Sequence, residues 1–350
     1  MRKRNDSAND RAIRSNFLNV AIYTDIREFK FGDVSETGKH TFFLEISPAG
    51  SGEQIGIPLL IANGAKSGKT LVVLAGVHGD ELEGVQAIHD VFNQLETNEM
   101  SGRFVAVPTA NLPAVRVVKR NSPHDLLNLA RVFPGNKAGT VTERIAFYLS
   151  ELVIPQADLF LDLHSSGVAA LMPLMVGYDA TTTDLGKASR EAALRFGAPV
   201  IWGHEEVGPG RSISSAIEQR IPWLYVESPN GGRVSFVDLP YYVGGIFNLL
   251  KYLEIIPGEI APSAPEYRLI GSGDVDRTQS VATSGFFIQK VKLMDFVERG
   301  QLIGIVRNLF GETIEEIRTG QAGYVAMLRA TPLVEPGISV CLVAESEPDN

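Results

Sequence analysis

Between Leu71 and Glu81 the chain reads Leu-Val-Val-Leu-Ala-Gly-Val-His-Gly-Asp-Glu. An apolar run rich in β-branched residues stops abruptly in a small polar turn. From Leu82 to Leu95 the apolar positions then recur at helical spacing. His78 and Glu81 therefore sit where a buried strand hands over to a helix, at the carboxyl edge of a sheet. Open α/β folds bind ligands along that edge. One imidazole and one carboxylate are two of the three protein ligands of a hydrolytic zinc site, whose fourth position stays open.

The alternation continues down the chain. Strands are expected over Phe42–Ile46, Ile55–Ile61, Thr70–Val77, Arg103–Pro108, Asp158–Leu163, Leu171–Val176, Pro199–Trp202 and Trp223–Glu227. Helices are expected over Leu82–Leu95, Val141–Leu152, Asp184–Phe196, Ser212–Arg220 and Tyr241–Leu253, the second headed by a Thr140/Glu143 capping box. A long loop separates Pro108 from Asn136. This pattern predicts an α/β fold, a layered domain on a mixed, mostly parallel sheet. After Ile256 the character changes. Pro257, Gly258, Pro262 and Pro265 mark a linker, and only short strands between Gly-containing turns follow. We expect residues 1–16 to be a loose tail, 17–256 the catalytic domain, and 257–350 a linker and a β-rich unit.

Composition narrows the class. The chain has 350 residues, 44% hydrophobic and 21% charged, enough for a large core. Its net charge of −9 argues against nucleic acid or an anionic membrane as partner. No apolar stretch approaches the roughly 18 residues needed to span a bilayer. The lone cysteine, Cys341, allows no internal disulfide and reads as a small buried hydrophobe. These features suggest a cytoplasmic protein and leave homo-oligomerisation open.

A third ligand is found at a second strand end. Leu159-Phe-Leu-Asp-Leu-His164 is another apolar run closing on a histidine. His89 lies mid-helix, and His40, His124 and His204 fall in loops, where solvated roles are the default. Asp162 points the same way as His164 and is suited either to orient its imidazole or to a purely structural role. A third apolar strand, Pro222-Trp-Leu-Tyr-Val-Glu227, ends in a carboxylate. In a partly dry pocket such a group rises toward the range of a general base. The loop from Asn111 to Gly135 carries Arg116, Lys119, Arg120 and Arg131. A guanidinium there can clamp a carboxylate or steady an oxyanion; Arg116 and Lys119 fit a solvated role better.

Together these motifs resemble the succinylglutamate desuccinylase/aspartoacylase family, which is similar to zinc carboxypeptidases. The match is carried by Gly76-Val-His78-Gly-Asp-Glu81, Asn111-Leu-Pro-Ala114, Arg120, Asp125-Leu-Leu-Asn128-Leu-Ala130-Arg131-Val-Phe-Pro-Gly135, Asp162-Leu-His164, and Glu227 with the Gly-rich turn to Gly232. The resemblance implies one zinc ion per chain on His78, Glu81 and His164, with Glu227 as base. It implies that Arg120 polarises the scissile carbonyl and that Arg131 and Asn128 bind substrate. It also implies a C-terminal all-β unit, a barrel or sandwich similar to biotinyl carriers. That unit lacks an attachment lysine: Gly320-Gln-Ala-Gly323 occupies the turn. Ala130 stands where the family has asparagine, which removes hydrogen-bonding capacity from the carboxylate clamp.

The expected activity is zinc-dependent hydrolysis of the amide bond of a small N-acyl amino acid or related N-acylated amine. The alternatives are a deacetylase of N-acetylated diamino acids, a carboxypeptidase, and a metal-free sensor.

Overall fold

The fold is given by a computed structural model, which describes residues 21–46, 54–260, 263–275 and 278–348. The tail expected over 1–16 lies outside them. Strands β1 (Ile22–Asp25), β2 (Gly38–Glu45), β3 (Gly56–Asn63) and β4 (Lys66–Ala75) lead into helix α1 (Glu83–Gln94). Strand β5 (Ser101–Val107), a short helix α2 (Leu112–Val117) and helix α3 (Val141–Tyr148) follow. Next come β6 (Leu159–Leu163), β7 (Ala170–Leu171), β8 (Met175–Asp179), α4 (Asp184–Phe196), β9 (Val200–His204), α5 (Ser212–Glu218), β10 (Trp223–Glu227) and α6 (Leu239–Tyr252).

The strands form a mixed sheet in the order β1-β2-β3-β5-β4-β6-β10-β8-β9. Its centre is parallel: β4 pairs with β5 and β6, and β6 with β10, all in the same direction. The chain leaves β4 toward β5 on one side and returns as β6 on the other. A crevice therefore opens at the carboxyl ends of β4 and β6.

Alternation along each strand splits the core into two layers. Leu71, Val73 and Ala75 of β4, with Leu161 and Leu163 of β6, face α1, α4 and α6 through Ile88, Phe196 and Ile246. Val72, Leu74, Phe160 and Trp223 face the other side, toward Ile145 of α3 and Ile213 of α5. The Thr140/Glu143 capping box is formed, with Glu143 N donating to Thr140 Oγ1 at 3.4 Å and Thr140 N to Glu143 Oε2 at 2.8 Å.

Some expectations need correction. The strand expected over Leu171–Val176 is two strands, β7 and β8, separated around Pro173, which has no N–H to give a ladder. The long loop after β5 contains α2. It is capped by Asn111, whose Oδ1 accepts from Ala114 N at 3.3 Å, and carries Pro113 in its first turn. The helix expected to Leu152 is α-helical to Tyr148 and widens into a π turn over Leu149–Val153.

Beyond the linker the chain is all strand: β11 (Tyr267–Ile270), β12 (Gln279–Ser280), β13 (Gly285–Gln289), β14 (Phe296–Val297), β15 (Leu302–Arg307), β16 (Thr313–Arg318), β17 (Gly323–Arg329), β18 (Leu333–Val334) and β19 (Ser339–Ser346). Strands β16-β15-β13-β18 make a separate antiparallel sheet. Strand β11 instead pairs in parallel with β9 and antiparallel with β19, so the main sheet runs on into this region. Cys341 is fully buried in it. Among the described residues no helix is long and apolar enough to cross a membrane.

The seam between α1 and the sheet leaves no room. A Cβ at Gly84 would stand 2.5 Å from Leu163 Cβ and 3.1 Å from Ala75 Cβ. Alanine gains about 1 kcal/mol in helix propensity, but overpacking costs about 1–3 kcal/mol. Gly84→Ala is predicted to lower the urea midpoint at an unchanged m value. A midpoint at or above that of the wild type would refute this packing argument.

Candidate active site

Three strand ends meet at one edge because β4, β6 and β10 run parallel and nearly in step. Ala75 is level with Leu163, and Leu163 with Val226. His164 N donates to Val226 O at 2.9 Å, which ties the second strand end to the third. The turn after β4 depends on two glycines. Gly76 has φ +62°, and a Cβ there would touch Pro108 O and Thr109 Cα at 3.0 Å. A Cβ on Gly79 would lie 2.1 Å from the Ala114 carbonyl of α2. Small residues at both positions let the turn tuck under α2 and aim His78 back over the sheet edge.

Glu81 sits at the centre and is only 3% exposed. Its Oε1 lies 2.8 Å from His78 Nδ1, and its Oε2 lies 2.8 Å from His164 Nδ1. Arg120 Nη1 donates to Oε1 at 3.1 Å, and Ser165 N donates to Oε2 at 3.3 Å. One ligand atom from each of His78, Glu81 and His164 lies within 4.8 Å of the others. These three residues could hold a metal ion. Burial would raise the Glu81 carboxyl, but His78 and His164 outweigh it and hold the group well below its ordinary value. For His164 the balance is opposite. Burial would lower it, yet Asp162 and Glu81 keep it well above the usual imidazole range. Burial and the nearby Arg120 lower His78.

The far nitrogens of both imidazoles are also taken. His164 Nε2 lies 3.0 Å from Asp162 Oδ2, which also accepts from Ser212 Oγ. His78 Nε2 lies 3.0 Å from Asn128 Oδ1. Glu81 is an acceptor at both Nδ1 atoms, and Asp162 and Asn128 are acceptors at both Nε2 atoms, so a cation taking the place of the Nδ1 protons would find each ring already held through Nε2. Asp162 thus takes the orienting position against His164. Asn128, read as a substrate contact, has its side-chain oxygen engaged by His78 and by Ala130 N at 2.9 Å. Tyr242 Oη donates to the His164 carbonyl at 2.5 Å and braces that strand end.

Glu227 ends β10 at the same edge, and its Oε2 is buried without a partner among the described residues. Burial and the charge of Glu81 push its carboxyl up to about 8, against the pull of His164 and Arg120. His78, His164, Arg120, Arg131 and Glu227 line one pocket of about 340 Å³, the size of a small-molecule site. Arg131 Nη1 donates to the Ala130 carbonyl at 2.8 Å and reaches the pocket beside it. Arg116 and Lys119 are exposed and lie outside the pocket lining.

The far wall was not foreseen. His204, taken as a solvated loop residue, ends β9 and is 4% exposed, hydrogen-bonded to Tyr225 and to the Gly271 carbonyl. Val200-Ile-Trp-Gly-His204 repeats the signature of an apolar run closing on histidine and could have flagged it. His40, also read as a loop residue, lies in β2, and His89 is exposed on α1. Arg211 pairs with Asp274 at 2.9 Å, so the segment after β11 closes the pocket from the C-terminal side. No local pattern brings residue 274 to residue 211.

Comparison with known proteins places the chain in a family and matches its fold. Residues 67–253 match the family model of the succinylglutamate desuccinylase/aspartoacylase catalytic domain. The chain is 31% identical over 283 residues to the N-alpha-acetyl-L-2,4-diaminobutyric acid deacetylase of Halomonas elongata, covering 79% of this chain and 82% of that protein. The product-bound structure of the ectoine utilization protein EutE (DoeB) from Ruegeria pomeroyi superposes with a TM-score of 0.82 at 28% identity, covering 89% of this chain and 97% of that one. A succinylglutamate desuccinylase/aspartoacylase from Rhodobacter sphaeroides gives 0.80 at 25% identity, covering 91% and 98%.

The raised Glu227 has a stability consequence. In the metal-free fold it keeps its proton up to about pH 8, whereas the unfolded chain releases it near 4.5. Its contribution to stability is therefore complete below about 4.5 and is lost as pH rises through about 8. In chelator-treated protein, Glu227→Gln should raise Tm relative to wild type more at pH 9 than at pH 5. A Tm difference that does not change with pH would contradict the burial of this charge.

Proposed function

Because the chain belongs to the succinylglutamate desuccinylase/aspartoacylase family, we propose that it is a zinc-dependent deacylase of small N-acyl amino acids whose catalytic machinery is the pocket above. One observation carries the reading. His78 and His164, which converge on Glu81, line the same small pocket as a buried carboxylate, Glu227, and two guanidinium groups, Arg120 and Arg131. The donor set fits zinc: two Nδ1 atoms oriented by Nε2 acceptors, and one buried carboxylate. When bound, zinc supplies Lewis acidity, acidifying water and polarising a carbonyl.

The remaining roles belong to this chain's own side chains. Glu227 takes the proton of the attacking water and returns it to the leaving amine. His164 and Arg120 pull Glu227 toward the ionised form, the form needed to act as a base, against burial and the charge of Glu81. Arg120, drawn to Glu81 in this structure, is placed to turn one N–H toward the oxyanion that develops on the carbonyl oxygen. Arg131 receives the substrate carboxylate. Asn128 fixes the His78 ring through its side-chain oxygen.

Within this class, an N-acetylated diamino acid is favoured over a peptide. The Halomonas elongata relative is a deacetylase of that kind. The pocket wall carries the exposed carboxylate of Glu206, and the segment with Asp274 closes its C-terminal side. A site of about 340 Å³ closed in this way suits a small substrate. The division at residues 256/257 into a catalytic domain and a β-rich unit that narrows the entrance belongs to the same proposal. So does a cytoplasmic setting, supported by the single, buried Cys341.

Two substitutions test the roles. Glu227→Gln should lower kcat about 10²–10⁴-fold on an N-acetyl amino acid panel, with one zinc per chain retained by elemental analysis. Near-normal turnover in that variant would sink the assignment. Arg131→Lys should raise KM about 10–100-fold for substrates with a free carboxylate, because a fork becomes a point charge. Equal effects on the amidated substrates would show that Arg131 does not read the carboxylate.

A further inference from the structure

The wall of the pocket built by β9 and β10 contains a hydrogen-bond relay whose direction is forced. His204 Nδ1 lies 2.7 Å from the Gly271 carbonyl oxygen, which can only accept, so Nδ1 carries the proton. Burial holds this imidazole down, at about 4, so it is neutral at pH 7 and its Nε2 offers a lone pair. Nε2 lies 2.8 Å from Tyr225 Oη. The Tyr225 hydroxyl must therefore donate to His204. Burial raises the phenol further above its ordinary range, so it stays protonated. Its single proton is spent, and the oxygen can meet any further group only as an acceptor.

The phenol is also fixed in place. Its ring stacks on His204 at 5.6 Å and 23° and on Trp223 at 6.4 Å and 22°. Gly177 stands level with it on β8, where a Cβ would lie 1.9 Å from the ring. Gly273 covers it from the C-terminal segment, where a Cβ would lie 2.6 Å from His204 Cε1 and 3.1 Å from Tyr225 Oη. Tyr225 precedes Glu227 by two residues, so both side chains leave β10 on one face, about 6.6 Å apart along the strand. The cation nearest this wall, Arg211, is already paired with Asp274. The carboxylate of Glu206 lines the same pocket.

We propose that Tyr225, locked as an acceptor by His204, binds the side-chain ammonium of the substrate, with Glu206 supplying the counter-charge. This makes Tyr225 and Glu206 specificity-determining residues and His204 a positioning residue. The assignment rests on the deacylase reading and names the residues that would read the second amine of a diamino acid.

Calorimetric titration of the zinc-loaded full chain tests this without requiring turnover. The ligands are L-2,4-diaminobutyrate, L-2-aminobutyrate and L-homoserine; the proteins are wild type, Tyr225→Phe and Glu206→Gln. Wild type should bind the diamino ligand at least tenfold more tightly than either uncharged analogue. Tyr225→Phe should cut that preference about 10–100-fold, as expected for losing a hydrogen bond to a charged group, and Glu206→Gln should reduce it as well. A Tyr225→Phe protein that keeps the wild-type preference overturns the assignment, and so does a wild type that prefers homoserine. If the preference is present and lost in Tyr225→Phe, but wild type hydrolyses no acyl derivative, the amine wall stands and the deacylase reading fails.

Discussion

The arrangement depends on one buried carboxylate. Glu81 is taken out of water between two imidazoles, and an uncompensated charge there would cost several kcal/mol. Its partners come from three places far apart in sequence: its own turn, the end of β6, and Arg120 in the loop after α2. Satisfying that charge aligns the strand ends, so the electrostatics of the site and the register of the sheet are one constraint. The same convergence could hold a cation, because the atoms that neutralise the carboxylate are those that would face a metal.

Around this centre the polar groups are arranged by direction. Asp162 and Asn128 occupy the Nε2 atoms and fix the ring orientations of His164 and His78. Among the described residues Glu227 has no such partner for its Oε2, and burial keeps its affinity for protons high. The contrast suits the proposed chemistry: the candidate ligand side chains are held by their neighbours, while the proposed base sits in a dry place with its proton affinity unspent. On the opposite wall, His204 and Tyr225 are locked again, this time by the segment after β11. The segment after β11 thus helps shape this wall of the pocket, whose other walls come largely from the ends of the main-sheet strands.

Much of the site was legible because the signal is local. Leu71–Val77, Leu159–Leu163 and Trp223–Glu227 each read as buried strands ending in a polar residue, and the β-strand period fixes which face each end presents. His204 carries the same signature on a shorter run, and its glycine, Gly203, disguises it. Pro173 hides a break inside an apolar stretch, since hydrophobicity alone does not register a missing N–H. Asn128 is expected from the family motif to bind substrate; that its side-chain oxygen meets a ring fifty residues away is something no local pattern encodes.

The sequence by itself determined the alternation of strand and helix, the residues at the strand ends, and hence the class of chemistry, because these follow from side-chain periodicity and from turn residues a few positions apart. Tertiary structure decided the rest. Parallel pairing of β4, β6 and β10 brings His78, Glu81, His164 and Glu227 together, and the pairing of β11 with β9 carries Gly271 and Gly273 over His204 and Tyr225. Register between strands and the direction of a hydrogen bond are properties of groups brought together from distant segments. They become fixed only when burial removes water as the alternative partner.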